Sequence, residues 1–137
     1  MLHDPQKVAE AREWLERALA DLESATILLG ATPSHPDTAV FHSQQAAEKA
    51  WKAFLFWHGV PFRKTHDLRM LGDACVRLDG SLSSLAERAE DLTQFAWVFR
   101  YPGGPQAPTV QEATDLLRLA REVYAAVLAR LPGEVRP

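Results

Sequence analysis

The chain has 137 residues, 47% of them hydrophobic and 24% charged, with a net charge of −3 and a single cysteine. A length of this order fits one domain whose core needs no metal or disulfide staple, and a lone Cys75 excludes an internal disulfide. The acidic balance argues against a protein that coats nucleic acid by bulk charge, although it leaves room for a local basic site.

Residues 1–7 have no apolar core, so a signal peptide is not expected. No run approaches the roughly 18 apolar residues of a membrane span. The cytoplasm is the expected compartment.

The first segment places Ala11, Leu15, Ala18, Leu22, Ala25 and Leu29 at alternating spacings of four and three, which is one stripe of a long helix. Gly30, Pro33, Ser34 and Pro36 break it. A second helix is expected over about 37–58, with Asp37 as cap and Ala47, Ala50, Trp51, Phe54 and Leu55 on its apolar side. After a break at 59–61 comes a short helix over about 67–78, capped by Thr65 or Asp67 and carrying Leu68, Leu71, Cys75 and Leu78. Cys75 lies between Ala74 and Val76 and reads as a buried structural thiol.

Asp79, Gly80 and Ser81 make the next break. The fourth helix follows, with Leu85, Ala89, Leu92, Ala96 and Phe99 in line and a capping box between Ser84 and Glu87. Pro102-Gly103-Gly104-Pro105 and Pro108 form the strongest break. A second capping box, Thr109 with Glu112, opens the fifth helix, whose stripe is Ala113, Leu117, Ala120, Tyr124, Val127 and Leu131. The tail 132–137 is expected to be flexible. No period-two pattern competes. The fold expected is all-α: a single domain over 1–137, an up-down helical bundle of four long helices plus one short helix.

Three places can carry chemistry. In Arg63-Lys64-Thr65-His66-Asp67, cationic side chains flank a helix start, where Lys64, His66 and free backbone N–H groups can hold a phosphate. The plainer alternative makes Thr65 and Asp67 caps and lets His66 hydrogen-bond a neighbouring helix. In Arg100-Tyr101, guanidinium and ring suit phosphate pairing and base stacking; the alternative is a helix C-cap and a core-edge ring. The third place is the polar stripe His42, Gln45, Lys49 and Lys52, either a partner or nucleic-acid surface or a solvated face with a Glu48–Lys52 pair. The five histidines are scattered without metal-ligand spacing, so no metal or other cofactor is expected. Ser43 and Cys75 lack the strand–turn–helix setting of a hydrolytic nucleophile.

The run from Ala39 to Ala50 (Ala-Val-Phe-His-Ser-Gln-Gln-Ala-Ala-Glu-Lys-Ala), followed by Lys52-Ala53-Phe54-Leu55, resembles the signature second helix of HEPN domains (higher eukaryote and prokaryote nucleotide-binding). Lys64-Thr65-His66-Asp67-Leu68, the turn Arg100-Tyr101-Pro102 and an opening helix with Trp14, Leu15, Ala18, Asp21, Leu22 and Ala25 are similar to that family's prokaryotic members in the same order. The resemblance implies a bundle that forms homodimers. It implies pairing with a minimal nucleotidyltransferase, in some cases as toxin and antitoxin, and handling of a nucleotide or RNA. Many members are metal-independent ribonucleases built on Arg-x4-6-His, with His in acid–base work and Arg on phosphate.

That motif is absent. Arg63 precedes His66 with only two residues between, no His follows Arg100, and the motif's Tyr extension, a nucleotidylation target in some pairs, is missing too. The expectation therefore moves from nuclease to binding module. Nucleotide or RNA would be held by Lys64, His66, Asp67, Arg100 and Tyr101, and a partner by His42, Gln45, Lys49 and Lys52. The alternatives are a ribonuclease with a rearranged His66/Arg100 site and a structural subunit that only docks a partner.

Overall fold

Asp4 and Pro5 start the first helix. The Asp4 carboxylate accepts from the Gln6 N–H at 2.9 Å, and Pro5 fills the first helical position, where no N–H is needed. In this computed structural model, which describes residues 3–98, 102–103 and 106–137, the elements are α1 (Pro5–Gly30), α2 (Pro36–Trp57), α3 (Leu68–Leu78), α4 (Ser83–Val98) and α5 (Val110–Arg130), with short 3-10 turns at Gly80–Leu82 and Gly133–Val135. The fold is all-α, four long helices and one short, as the stripes predict.

α2 is the central element. It packs on α1, α3, α4 and α5, and its contact with α1 is the most extensive in the molecule. No residue from position 39 to 57 is exposed. Small side chains make this crowding possible: Ala39, Ala46, Ala47, Ala50 and Ala53 are fully buried and let neighbouring backbones approach, while Trp51, Phe54 and Leu55 fill the space between. The other helices bring matching stripes: Ala11, Leu15, Ala18, Leu22 and Ala25 from α1, Leu68, Leu71 and Cys75 from α3, Ala89, Leu92 and Ala96 from α4, and Ala113, Leu117, Ala120, Val123 and Val127 from α5. On α5 the buried position is Val123, and Tyr124 beside it is half-buried. Phe99 lies outside the described residues.

Helix ends follow backbone accounting. α2 stops in a Schellman turn: Gly59 N–H reaches Phe56 O, Val60 N–H reaches Leu55 O, and Gly59 takes φ 71°, where a Cβ would be strained. α5 opens with the Thr109–Glu112 capping box, both bonds at 3.0 Å. Asp67 caps α3 through Arg69 N–H at 3.0 Å, and Thr65 Oγ1 in turn accepts from Asp67 N–H.

Two expectations change. α2 begins at Pro36, so Asp37 sits in the first turn, favourable to the dipole, and is not the cap. Ser84 is inside α4, because the chain already turns at Gly80–Leu82; the cap is Asp79, which accepts from Ser81 N–H and Oγ and from Arg130 Nε at 2.8 Å. At the tail Val135 is fully buried, the turn packs on α1, and Arg12 donates to the Glu134 carbonyl.

Gly72 lies where α3 crosses α4, and a Cβ there would sit 3.2 Å from Ala86 Cβ. Gly72→Val is expected to cost about 1–3 kcal/mol by overpacking, read as a lower urea midpoint at unchanged m-value. Burial pushes the Cys75 thiol up to about 12, so it stays unreactive towards thiol reagents at neutral pH until the chain is unfolded. The Ser81 hydroxyl and then Arg130 hold the Asp79 carboxyl below its ordinary value. Its contribution is present above the usual carboxylate range and lost as pH falls through the lowered pKa, so Asp79→Asn should flatten the acid limb of a stability–pH curve.

Candidate functional site

Helical spacing sorts the polar residues of α2 into two rows. Gln44, Glu48 and Lys52 follow one another at intervals of four, and His42, Gln45 and Lys49 run beside them. The rows are linked where Gln45 Nε2 donates to Gln44 Oε1 at 2.7 Å. Neither row is a solvated face. Gln44 is fully buried, Glu48 is 2% exposed and Lys52 9%.

The first row meets the loop between α2 and α3. Glu48 Oε1 accepts from His66 Nδ1 at 2.8 Å and from Lys52 Nζ at 3.3 Å. Gln44 Nε2 donates to the His66 carbonyl at 2.9 Å, and Thr93 Oγ1 on α4 approaches the same carbonyl while accepting from Leu68 N–H. His66 is therefore held by ring and by backbone, although its side chain is 61% exposed. An ionised carboxylate can only accept, so Nδ1 is the donor in this bond.

The second row meets α1. Asp21, 8% exposed, accepts from His42 Nδ1 at 2.8 Å through one oxygen and from Lys49 Nζ through the other. Next to Lys49 is a groove of about 400 Å³ between α1 and α2, lined by Glu10, Glu13, Trp14, Arg17 and Lys49. Lys52 joins the two regions: its Nζ lies 5.8 Å from the ring centres of both Trp14 and Phe62, which meet edge to face.

The residues named from sequence divide as follows. Lys64 and His66 are exposed on the same loop, and Asp67 uses its carboxylate for the α3 cap. His42, Gln45, Lys49 and Lys52 lie in the two rows, tied to groups of the same chain. Arg100 and Tyr101 lie outside the described residues. Sequence reasoning named Asp21, Gln44 and Trp14 only as residues of the family resemblance, with no site role, and gave Glu48 no role beyond that resemblance except half of a surface pair. One signal was available: Asp21 follows Ala18 by three and precedes Ala25 by four, so a carboxylate occupies an apolar stripe. Among the described residues no group of three or more His, Cys, Asp or Glu is placed to hold a metal ion, and no helix is long and apolar enough to cross a membrane.

Comparison with known proteins bears on the family and the fold. The HEPN domain model matches residues 11–131, nearly the whole chain. A 54-residue stretch is 48% identical to Putative toxin MJ1304 of Methanocaldococcus jannaschii, covering 39% of this chain and 34% of that protein, so the match spans about a third of the relative's length. The crystal structure of TT1696 from Thermus thermophilus superposes with a TM-score of 0.74 at 32% identity, covering 88% of this chain and 98% of that one.

Glu48→Ala strands Lys52 in the interior and is expected to destabilise by about 3–5 kcal/mol. The double change Glu48→Leu with Lys52→Met should recover most of that loss in chemical denaturation. It should nevertheless leave the His66 loop exchanging its amide protons faster than in the parent chain. Equal loop protection in parent and double variant would show that the Glu48 bond does not hold His66.

Proposed function

This chain belongs to the HEPN domain family, and from that premise we propose that it is a toxin–antitoxin-type module that takes a nucleotide or RNA at the His66 corner and works with a nucleotidyltransferase partner. One observation carries the reading. A buried carboxylate, Glu48, is kept in the interior to hold an exposed imidazole, while a buried amide, Gln44, holds the same residue's carbonyl. Taking an ionised carboxylate out of water costs several kcal/mol before pairing. A surface histidine needs no such mount unless its position matters. Lys64, two residues earlier on the loop and exposed, supplies a cation for phosphate. Support for the toxin-type role comes from the family and from the archaeal relative's name. Homodimerisation and a cytoplasmic location belong to the same proposal.

The Glu48–His66 arrangement also favours a second reading, a metal-independent ribonuclease. A carboxylate on Nδ1 is what general acid–base work at Nε2 requires, and Arg100 would be its candidate phosphate partner.

Fluorescence anisotropy with labelled single-stranded RNA tests both. His66→Ala and Lys64→Ala are each expected to weaken binding by about tenfold, equivalent to 1.4 kcal/mol, without change in the circular dichroism of the bundle. Affinity untouched by either change sinks the proposed site. If the parent chain also shortens the RNA in the presence of a chelator, and His66→Ala does not, the ribonuclease reading takes precedence.

A further inference from the structure

We infer that the groove between α1 and α2 is a guanine pocket, with Trp14 stacking the base, Glu10 reading its Watson–Crick edge and Arg17 and Lys49 taking the phosphate. The inference deepens the proposed function by naming the base, and it rests on that reading.

Position along α1 comes first. Glu10, Trp14 and Arg17 are spaced by four and three, so they stand in line on one face, and all three line the groove. Glu10 and Arg17 are seven residues apart, about 10 Å of helix. A nucleoside monophosphate spans a comparable distance from base edge to phosphate. Lys49 enters from α2, held by Asp21 one further turn along α1. The volume of about 400 Å³ falls within the range of small-ligand sites.

The cations sit at one end of this line, and both are already steadied. Arg17 pairs with Glu13 at 3.0 Å, and Lys49 with Asp21. At the other end Glu10 is exposed, with no hydrogen bond or ion pair among the described residues. An acidic group beside an aromatic ring disfavours a bare anion there and favours a ligand edge rich in N–H donors.

Base chemistry makes the choice. Guanine presents two adjacent donors on its Watson–Crick edge, N1–H and the exocyclic N2–H, and one carboxylate accepts both. Adenine and cytosine place a ring-nitrogen lone pair beside their amino group, which repels a carboxylate. Uracil offers a single N–H between two carbonyls. Stacking alone does not discriminate, because every base has a π-face. Selectivity therefore falls to Glu10. Lys52, shared by the Trp14–Phe62 pair and by Glu48, connects the pocket to His66.

Calorimetric titration with GMP, AMP, CMP and UMP tests the pocket on the full chain. GMP is expected to bind about tenfold or more tightly than AMP. Glu10→Gln, a change at an exposed position, should erase that preference, because an amide cannot accept both N–H groups. Trp14→Ala should abolish binding, and Trp14→Phe, which keeps a ring beside Phe62, should retain part of it. Equal affinity for GMP and AMP, no GMP binding, or a preference untouched by Glu10→Gln overturns the inference. Competition with uridine oligomers bearing or lacking one guanosine separates a free nucleotide from guanine within RNA. No GMP binding, with a guanosine-free oligomer bound through His66 regardless of Glu10, removes the pocket and leaves the His66 site standing. GMP held by Glu10 with RNA ignored keeps the pocket and removes the RNA reading of His66.

Discussion

A helix with no exposed residue from position 39 to 57 cannot leave a charge unanswered, and α2 carries three ionisable groups in that stretch besides His42. This constraint organises the domain. Glu48 has left water almost completely, and its ionised form is tolerable only because Lys52 and His66 bring donors to it. Lys49 is answered by Asp21 across the α1–α2 seam. Each answer fastens something that hydrophobic packing would leave loose. Asp21 joins the two longest helices in a defined register, and Glu48 with Gln44 ties the loop after α2 to the bundle. The hydrophobic core supplies most of the driving force, but it is non-directional; the buried charges decide which loop lies where.

The same constraint explains the alanines. A helix surrounded by four others must be thin where they cross, and Ala39, Ala46, Ala47, Ala50 and Ala53 make it so. Bulk is displaced to a few positions, Trp51 and Phe54 at the centre and Trp57 at the end. On α1, Trp14 stands beside the small and aliphatic stripe, in line with Glu10 and Arg17, and there the surface opens into a groove. Thin helices and occasional large rings thus produce both the tight seam and, beside it, a space of ligand size.

The helices were legible in the sequence because a 3.6-residue period is written by the buried side chains themselves: Ala11 to Ala25, Ala89 to Ala96 and Ala113 to Val127 each mark one inward face. Boundaries were less legible. Ser84 satisfied the capping-box pattern, but Asp79 upstream had already captured Ser81 and Arg130, a contact with α5 that local spacing does not encode. The site was the least legible part. Glu48 and Lys52 look like an ordinary surface pair, since periodicity reveals how many faces a helix has packed only when every face is apolar. α2 hides polar residues among its contacts, so its burial depends on tertiary partners spread from α1 to α5. One of the two readings of the Lys64–Asp67 loop, His66 bonded to a neighbouring helix and Asp67 as a cap, matches the geometry; which neighbour, and that it would be a buried carboxylate, needed the fold.

Charge at the candidate site is nearly balanced, and this bears on how recognition can work. Arg17, Lys49 and Lys52 stand near Glu10, Glu13, Asp21 and Glu48, within a chain of net charge −3. Such a surface projects little positive field, so long-range steering of a polyanion contributes little. Affinity must come from short-range terms: a ring to stack on, donors and acceptors at fixed separations, and one or two charge-assisted contacts to phosphate. Short-range terms are effective only when the groups are already in place, because ordering a long side chain on binding costs about 0.5–1.5 kcal/mol each. In the proposed site three of the groups meet that condition, whereas Glu10 has no such partner among the described residues. Arg17, Lys49 and His66 are each held by a carboxylate of the same chain, so the acidic residues that cancel the field are also the ones that position the groups.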